Sequence, residues 1–135
     1  MAGTFTFELV SPERILLATE DAEQVQLPGA EGDFTVLAGH APVISTLRPG
    51  LLDIVMTSGK KRIFVKGGFV EVDPKHVTVL AQTAIEAAEM TSDRYATELR
   101  AAETDLSAAK DDDSRLMAQS AIEALKQLQG AKAPA

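Results

Sequence analysis

His40 and His76 are the only two histidines in the 135-residue chain, so any imidazole chemistry must rest on one of them. His40 lies in Gly39-His40-Ala41-Pro42, a few residues past two carboxylates, Glu31 and Asp33. Nucleophilic catalysis needs a base beside its nucleophile, and neither histidine sits in a Gly-x-Ser-x-Gly or similar setting. His40 reads as a turn residue whose ring bonds locally or meets a partner. His76, beside Lys75, reads as an exposed residue at a strand start. Glu31 and Asp33 resemble an acid–base pair only by proximity. A glycosidase would also need a cleft and aromatic platforms, and the chain has one Tyr and no Trp. Two histidines so far apart, with no carboxylate pattern near them, give no metal-ligand spacing. Asp111-Asp112-Asp113 lacks the alternation and glycine of a calcium loop and suits a solvated helix-capping turn. Gly59-Lys60 and Gly67-Gly68 lack the earlier glycine of a phosphate-cradling loop, and both read as hairpin turns. No catalytic, cofactor or metal residue is therefore expected. Glu31, Asp33 and His40 read as contact residues on a shaped surface. Residues 28–50 hold three prolines and four glycines, too many fixed turns for a flexible linker.

Composition narrows the classes further. Thirteen basic residues against twenty acidic ones leave a net charge of −7. That charge argues against nucleic acid, whose phosphates demand basic patches, and against an electrostatic membrane binder. The absence of cysteine excludes disulfides and thiolate sites. No apolar run approaches the roughly 20 residues of a spanning helix, so no direct membrane insertion is expected. The N-terminus lacks the basic and apolar blocks of a signal peptide, and the cytoplasm is the simplest compartment. With hydrophobic residues at 45% and aromatics at 4%, the core must be aliphatic.

Two kinds of element must carry these residues. Up to about residue 84 the apolar pattern has period two: Phe5, Phe7 and Leu9; Val25 and Leu27; Ile54 and Met56; Ile63 and Val65; Val77 and Val79. Alternation of this kind gives strands with one face in a core. Turn signals at Pro28-Gly29, Pro49-Gly50, Ser58-Gly59, Gly67-Gly68 and Asp73-Pro74 divide the runs, as in a sandwich or barrel. Beyond residue 84 the pattern becomes helical. Tyr95, Leu99, Ala102, Leu106 and Ala109 form one stripe, and Met117, Ala121, Ala124 and Leu128 a second. Thr91 or Ser92 can cap the first helix, and an acid or serine of 111–114 the second. The short joint makes an antiparallel hairpin. Helices this short are marginal alone, so the hairpin needs a docking surface. The expected organisation is a β domain over 1–84, a hinge over 85–90, a helical hairpin over 91–130 and a frayed tail over 131–135. On the residues alone this is an acidic interaction module. A free-standing adaptor dimerising through its helical arm, and a small enzyme built on Glu31, Asp33 and His40, remain alternatives at this point.

A resemblance goes further. Gly29-Ala30-Glu31-Gly32-Asp33, Gly39-His40-Ala41-Pro42 and Pro49-Gly50 follow one another as in the epsilon-subunit family of the bacterial F-type ATP synthase, the counterpart of the mitochondrial delta subunit. Phe7-Glu8-Leu9-Val10-Ser11-Pro12-Glu13, Gly67-Gly68-Phe69-Val70-Glu71-Val72 and Val77-Thr78-Val79-Leu80-Ala81 fit the same pattern, and the likeness covers nearly the whole chain. The resemblance implies a flattened ten-stranded β-sandwich followed by a two-helix hairpin. It implies a non-catalytic rotor subunit of the central stalk that binds the gamma subunit and sits on the c-subunit ring. There it would couple proton-driven rotation to ATP synthesis at the cytoplasmic face of the bacterial inner membrane. It points to Glu31, Asp33 and His40 as c-ring contacts, where acids on a rigid turn would complement basic and amide groups.

Two regulatory features of such subunits fit less well. Some bind ATP through Ile/Leu-Asp-x-x-Arg-Ala at the first hairpin helix. The corresponding Met90-Thr91-Ser92-Asp93-Arg94-Tyr95 keeps Arg94 but has Thr91 for the acid and Tyr95 for the alanine, which argues against ATP binding. In many members the extended hairpin also blocks hydrolysis, with basic residues of the last helix meeting an acidic segment of the catalytic beta subunit, so the alpha and beta subunits are further possible partners. From Glu86 onward this chain has ten acids against six bases, a balance of −4. Like charges repel, so weak or absent inhibition is expected.

Overall fold

The computed structural model describes residues 3–132. Seven strands precede two helices: β1 Phe5–Val10, β2 Ile15–Gly29, β3 Gly32–Leu37, β4 Val43–Thr46, β5 Gly50–Met56, β6 Gly59–Val72, β7 His76–Glu86, α1 Ser92–Ala108 and α2 Asp112–Lys132. The sheet order is β1-β7-β6-β5-β2-β3, with β4 on β6. Because β1 pairs with both β7 and β2, the sheet closes on itself. The β1–β7 pair is parallel and the remaining pairs are antiparallel.

The period-two residues explain this closure. Phe5, Phe7, Leu9, Val25, Leu27, Ile54, Met56, Ile63, Val65, Val77 and Val79 are all buried in a single aliphatic core. Alternation places every second side chain inside, and closing the sheet removes most of its free edges.

Among the described residues the strands number seven rather than the expected ten. Three strands are long: β2 has 15 residues, β6 has 14 and β7 has 11. β2 and β6 each change neighbour along their length without a break in the strand. β6 pairs with β5 through Gly59–Val65 and then with β4 through Phe69–Val72 along the same edge. Its ladder with β7 keeps one register from Ile63↔Glu86 to Val72↔Val77. Gly67-Gly68 is thus not a hairpin turn. It lies inside β6, where φ values of 71° and 132° break the regular pleat as the strand changes neighbour. A Cβ at Gly68 would fall 1.8 Å from the Leu80 carbonyl oxygen.

The hairpin has its own small core. Ala102, Ala121, Ala124, Leu125 and Leu128 pack with Met90 and with Phe64 and Ile85 of the sheet. Alanines on the facing stripes let the helices approach, and α2 supplies the contact with β5 and β6. Thr91, rather than Ser92, is the N-cap of α1, accepting the Arg94 amide at 3.1 Å. Asp111 caps α2 by accepting the Ser114 amide at 2.7 Å, and these bonds to the charged form hold its carboxyl below the usual range. β7 runs to Glu86, and a 3-10 turn over Ala87–Glu89 leads into the helices. α2 continues through Lys132, and residues 133–135 of the expected tail lie outside the described residues.

Candidate functional site: a turn-rich edge and an apolar face

The β2–β3 hairpin closes at the Gly29↔Gly32 pair, leaving Ala30 and Glu31 at its tip. The chain then returns through β3 and turns at Gly39, whose φ of 85° suits glycine. Backbone bonds hold this region. Gly39 N donates to Pro74 O at 2.9 Å, His40 N to Leu37 O at 3.1 Å, and Ala30 N to Thr46 O at 3.0 Å. The two loops consequently meet. Glu31, Asp33 and His40 line one shallow depression of about 330 Å³, floored in part by Phe34 and Val43.

The three residues differ in what else they touch. Glu31 has no ion pair or side-chain hydrogen bond among the described residues and is exposed. His40 Nδ1 lies 2.6 Å from the Ala41 carbonyl oxygen. The carbonyl accepts, so Nδ1 carries the proton and Nε2 is left for a neighbour. Asp33 is already engaged: Arg48 Nη2 donates to its Oδ1 at 2.5 Å. No nucleophile–base pair is formed here. Among the described residues no cluster of His, Cys, Asp or Glu could hold a metal.

Other singled-out residues lie elsewhere. His76 Nδ1 sits 3.2 Å from Asp73 Oδ1 in the β6–β7 turn. The Asp73 carboxylate accepts the Lys75 amide and is also held by His76, which lowers its pKa. Arg94 donates to Glu98 at 3.2 Å, and Glu98 also pairs with Lys66 of β6 at 3.3 Å. The guanidinium of the ATP-like segment is thereby tied to a carboxylate. Asp112 pairs with Arg115, both in the first turn of α2.

One feature escaped the period-two reading. Val10, Leu80, Phe69 and Thr46 are successive cross-strand neighbours on β1, β7, β6 and β4. Leu80 is 38% exposed, Phe69 41% and nearby Ile44 70%. They form an apolar face outside the sheet. Its signal was legible: Phe69 and Leu80 are apolar residues in the outward phase of strands whose inward phase is Val70, Val72, Val77 and Val79. Exposed apolar groups gathered on one face mark contact surfaces.

Comparison with known proteins follows the same lines. Residues 4–87 match the family described as ATP synthase, Delta/Epsilon chain, beta-sandwich domain. The chain is 43% identical over 129 residues to the ATP synthase epsilon chain of Parvibaculum lavamentivorans, covering 95% of this chain and 97% of that one. It is 52% identical over 92 residues to the ATP synthase epsilon chain of Rhodobacter capsulatus, covering 68% and 69%. Among solved structures it is similar to a chain of the Euglena gracilis mitochondrial ATP synthase OSCP/F1/c-ring assembly. That likeness has a TM-score of 0.71 and 25% identity, over 97% of this chain and 82% of that chain.

Proposed function

Because the chain belongs to the ATP synthase epsilon-chain family, a non-catalytic stalk subunit of that complex, we propose that it is a rotor subunit coupling c-ring rotation to ATP synthesis. The observation carrying this reading is the meeting of Glu31 and His40 in one depression on a stiff, turn-bound edge. An exposed carboxylate and an imidazole with one free nitrogen suit the polar loops of a c-subunit ring. The outer apolar face of Leu80, Phe69 and Ile44 suits the gamma subunit, since apolar area is what a lasting interface buries. Two surfaces on one rigid sheet would let the subunit link ring and shaft so that they turn together. No helix among the described residues is long and apolar enough to cross a membrane. A peripheral position on the cytoplasmic face of a bacterial inner membrane, in a proton-translocating complex, fits this reading.

The hairpin's part in regulation is small in this reading. Its balance of −4 from Glu86 onward opposes docking to an acidic partner such as a segment of the beta subunit. Arg115, which could offset it, is already paired with Asp112. The ATP-like segment has Arg94 bonded through Nε to Glu98, a carboxylate that a phosphate would have to compete with. The test is a pull-down from membranes with the tagged full-length chain. Gamma and c subunits should come with it. Self-association without them would instead favour a free-standing adaptor.

A further inference from the structure

We infer that Arg48 is the positioning residue of the acidic edge, and that Asp33 acts through Arg48 rather than on a partner. This rests on the reading that the edge meets the c ring. Arg48 follows β4 and faces the β2–β3 hairpin. Its guanidinium spans two acceptors of that hairpin: Nη2 donates to Asp33 Oδ1 at 2.5 Å and Nη1 to the Gly29 carbonyl at 3.5 Å. Its own amide donates to Pro28 O at 3.0 Å. The preceding residue, Leu47, bridges to Gly29. Residues 28–33 are thus fixed from one side by residues 46–48, among which Arg48 supplies the side-chain bonds.

The packing leaves no slack for another arrangement. A Cβ at Gly50 would fall 2.6 Å from Pro28 Cβ, and one at Gly29 2.8 Å from the Gly32 carbonyl oxygen. The hairpin is thus closed tightly on itself at Gly29 and packed against Gly50 through Pro28, while backbone bonds join it to residues 46–48. A planar fork reaching a carbonyl and a carboxylate at once is an arginine property, and lysine has no equivalent.

The electrostatic consequence is specific. Asp33 and Arg48 cancel, so the edge offers a basic partner one uncompensated carboxylate, Glu31, instead of two. Asp33 would then set where Glu31 stands without supplying charge to the interface.

The experiment uses full-length chain and detergent-solubilised ATP synthase depleted of this subunit, with affinity read across a salt series and folding checked by thermal melting. Arg48→Gln and Asp33→Arg should each weaken rebinding about tenfold. The double exchange, Asp33→Arg with Arg48→Asp, should return affinity to within about threefold of wild type, because it rebuilds the pair. Removing both members of the pair, Asp33→Asn with Arg48→Gln, should keep the wild-type salt dependence because the edge keeps its one uncompensated carboxylate, whereas Glu31→Gln should flatten it. A double exchange that binds as weakly as Asp33→Arg alone, or a curve for Asp33→Asn with Arg48→Gln as flat as that of Glu31→Gln, would overturn the inference and make Asp33 a contact residue. Glu31→Lys separates the two levels of claim. If it rebinds like wild type, the docking-edge reading itself fails, whatever the exchange shows.

Discussion

The acidic edge and the helical hairpin are held to the same sheet in opposite ways. Around Glu31, backbone bonds from Ala30, Gly39, His40 and Arg48 tie the loops at short intervals, and Gly29 and Gly50 stand where a Cβ has no room. The hairpin rests on a patch centred on Phe64, Leu125 and Leu128. Among the described residues one ion pair, Lys66–Glu98, joins it to the sheet. That pair is partly exposed and worth at most about 1 kcal/mol. Toward the hairpin tip a groove of about 450 Å³, lined by Leu47, Pro49, Ala102, Ala108 and Ala118, separates helices from sheet. Stiffness is thus concentrated where a rotor would transmit torque. Local stability follows local contact density, so the two regions should respond to substitution very differently.

The largest expected effect is on the sheet. Gly68→Ala puts a methyl against the Leu80 carbonyl at a φ of 132° and forces β6 from β7. A loss of ~4 kcal/mol is expected in denaturant unfolding, with the edge loops disordered as a consequence. A loss under ~1 kcal/mol would show that the bend in β6 is not required.

Leu125→Ala comes next. It removes a fully buried side chain between helix and sheet, an exchange that costs about 2–5 kcal/mol in well-packed cores. Here the loss should be local. Residues beyond Met90 should become protease-sensitive while the sheet keeps its melting transition. Joint loss of both would show that the two regions are one cooperative unit.

Acid titration reads a smaller, pH-limited effect within the sheet. The Asp21 carboxylate accepts from the Thr19 hydroxyl, the Thr57 hydroxyl at 2.5 Å and the Ser58 amide at 3.1 Å. These bonds, Thr19 first and then Thr57, lower its pKa to about 2. A pKa lowered by folding contributes stability that is complete above the unfolded value, near pH 4, and is lost as pH falls through the folded one. Wild type should lose sheet stability between about pH 4 and pH 2, and Asp21→Asn should lose less over that window. Parallel curves would remove Asp21 from the account.

The smallest change is expected where the hairpin is removed altogether. Truncation after Met90 should leave ATP hydrolysis by the reassembled complex within about twofold of the full-length value. A severalfold rise would show that the acidic hairpin inhibits, and that its charge balance does not decide the matter.

The same contrast governs what could be read from sequence. Every inward strand residue named from the period-two pattern is buried, because a closed sheet enforces alternation. In the hairpin the second stripe was read one residue out of phase at its start: Met117 is 46% exposed, and Ala118 is the buried one. Leu125, fully buried, was missed. An alanine-rich helix gives a weak phase, and its docking surface is set by the sheet rather than by the helix. Gly67-Gly68 was misread as a turn because a bend inside a long strand and a hairpin use the same residue. At the edge, Glu31, Asp33 and His40 were legible as a group, but the partner of Asp33 was not. Arg48 lies 15 positions further on, and only the return of β4 beside the hairpin brings them together.

The edge itself is tested most directly by position. The chain has no cysteine, so Glu31→Cys creates a unique thiol. In the assembled complex it should form a disulfide under mild oxidation with a cysteine placed in the polar loop of the c subunit, while Ser107→Cys in α1 should not. Failure of Glu31→Cys to reach the c subunit, or equal crosslinking from Ser107→Cys, would contradict the assignment of this edge to the ring.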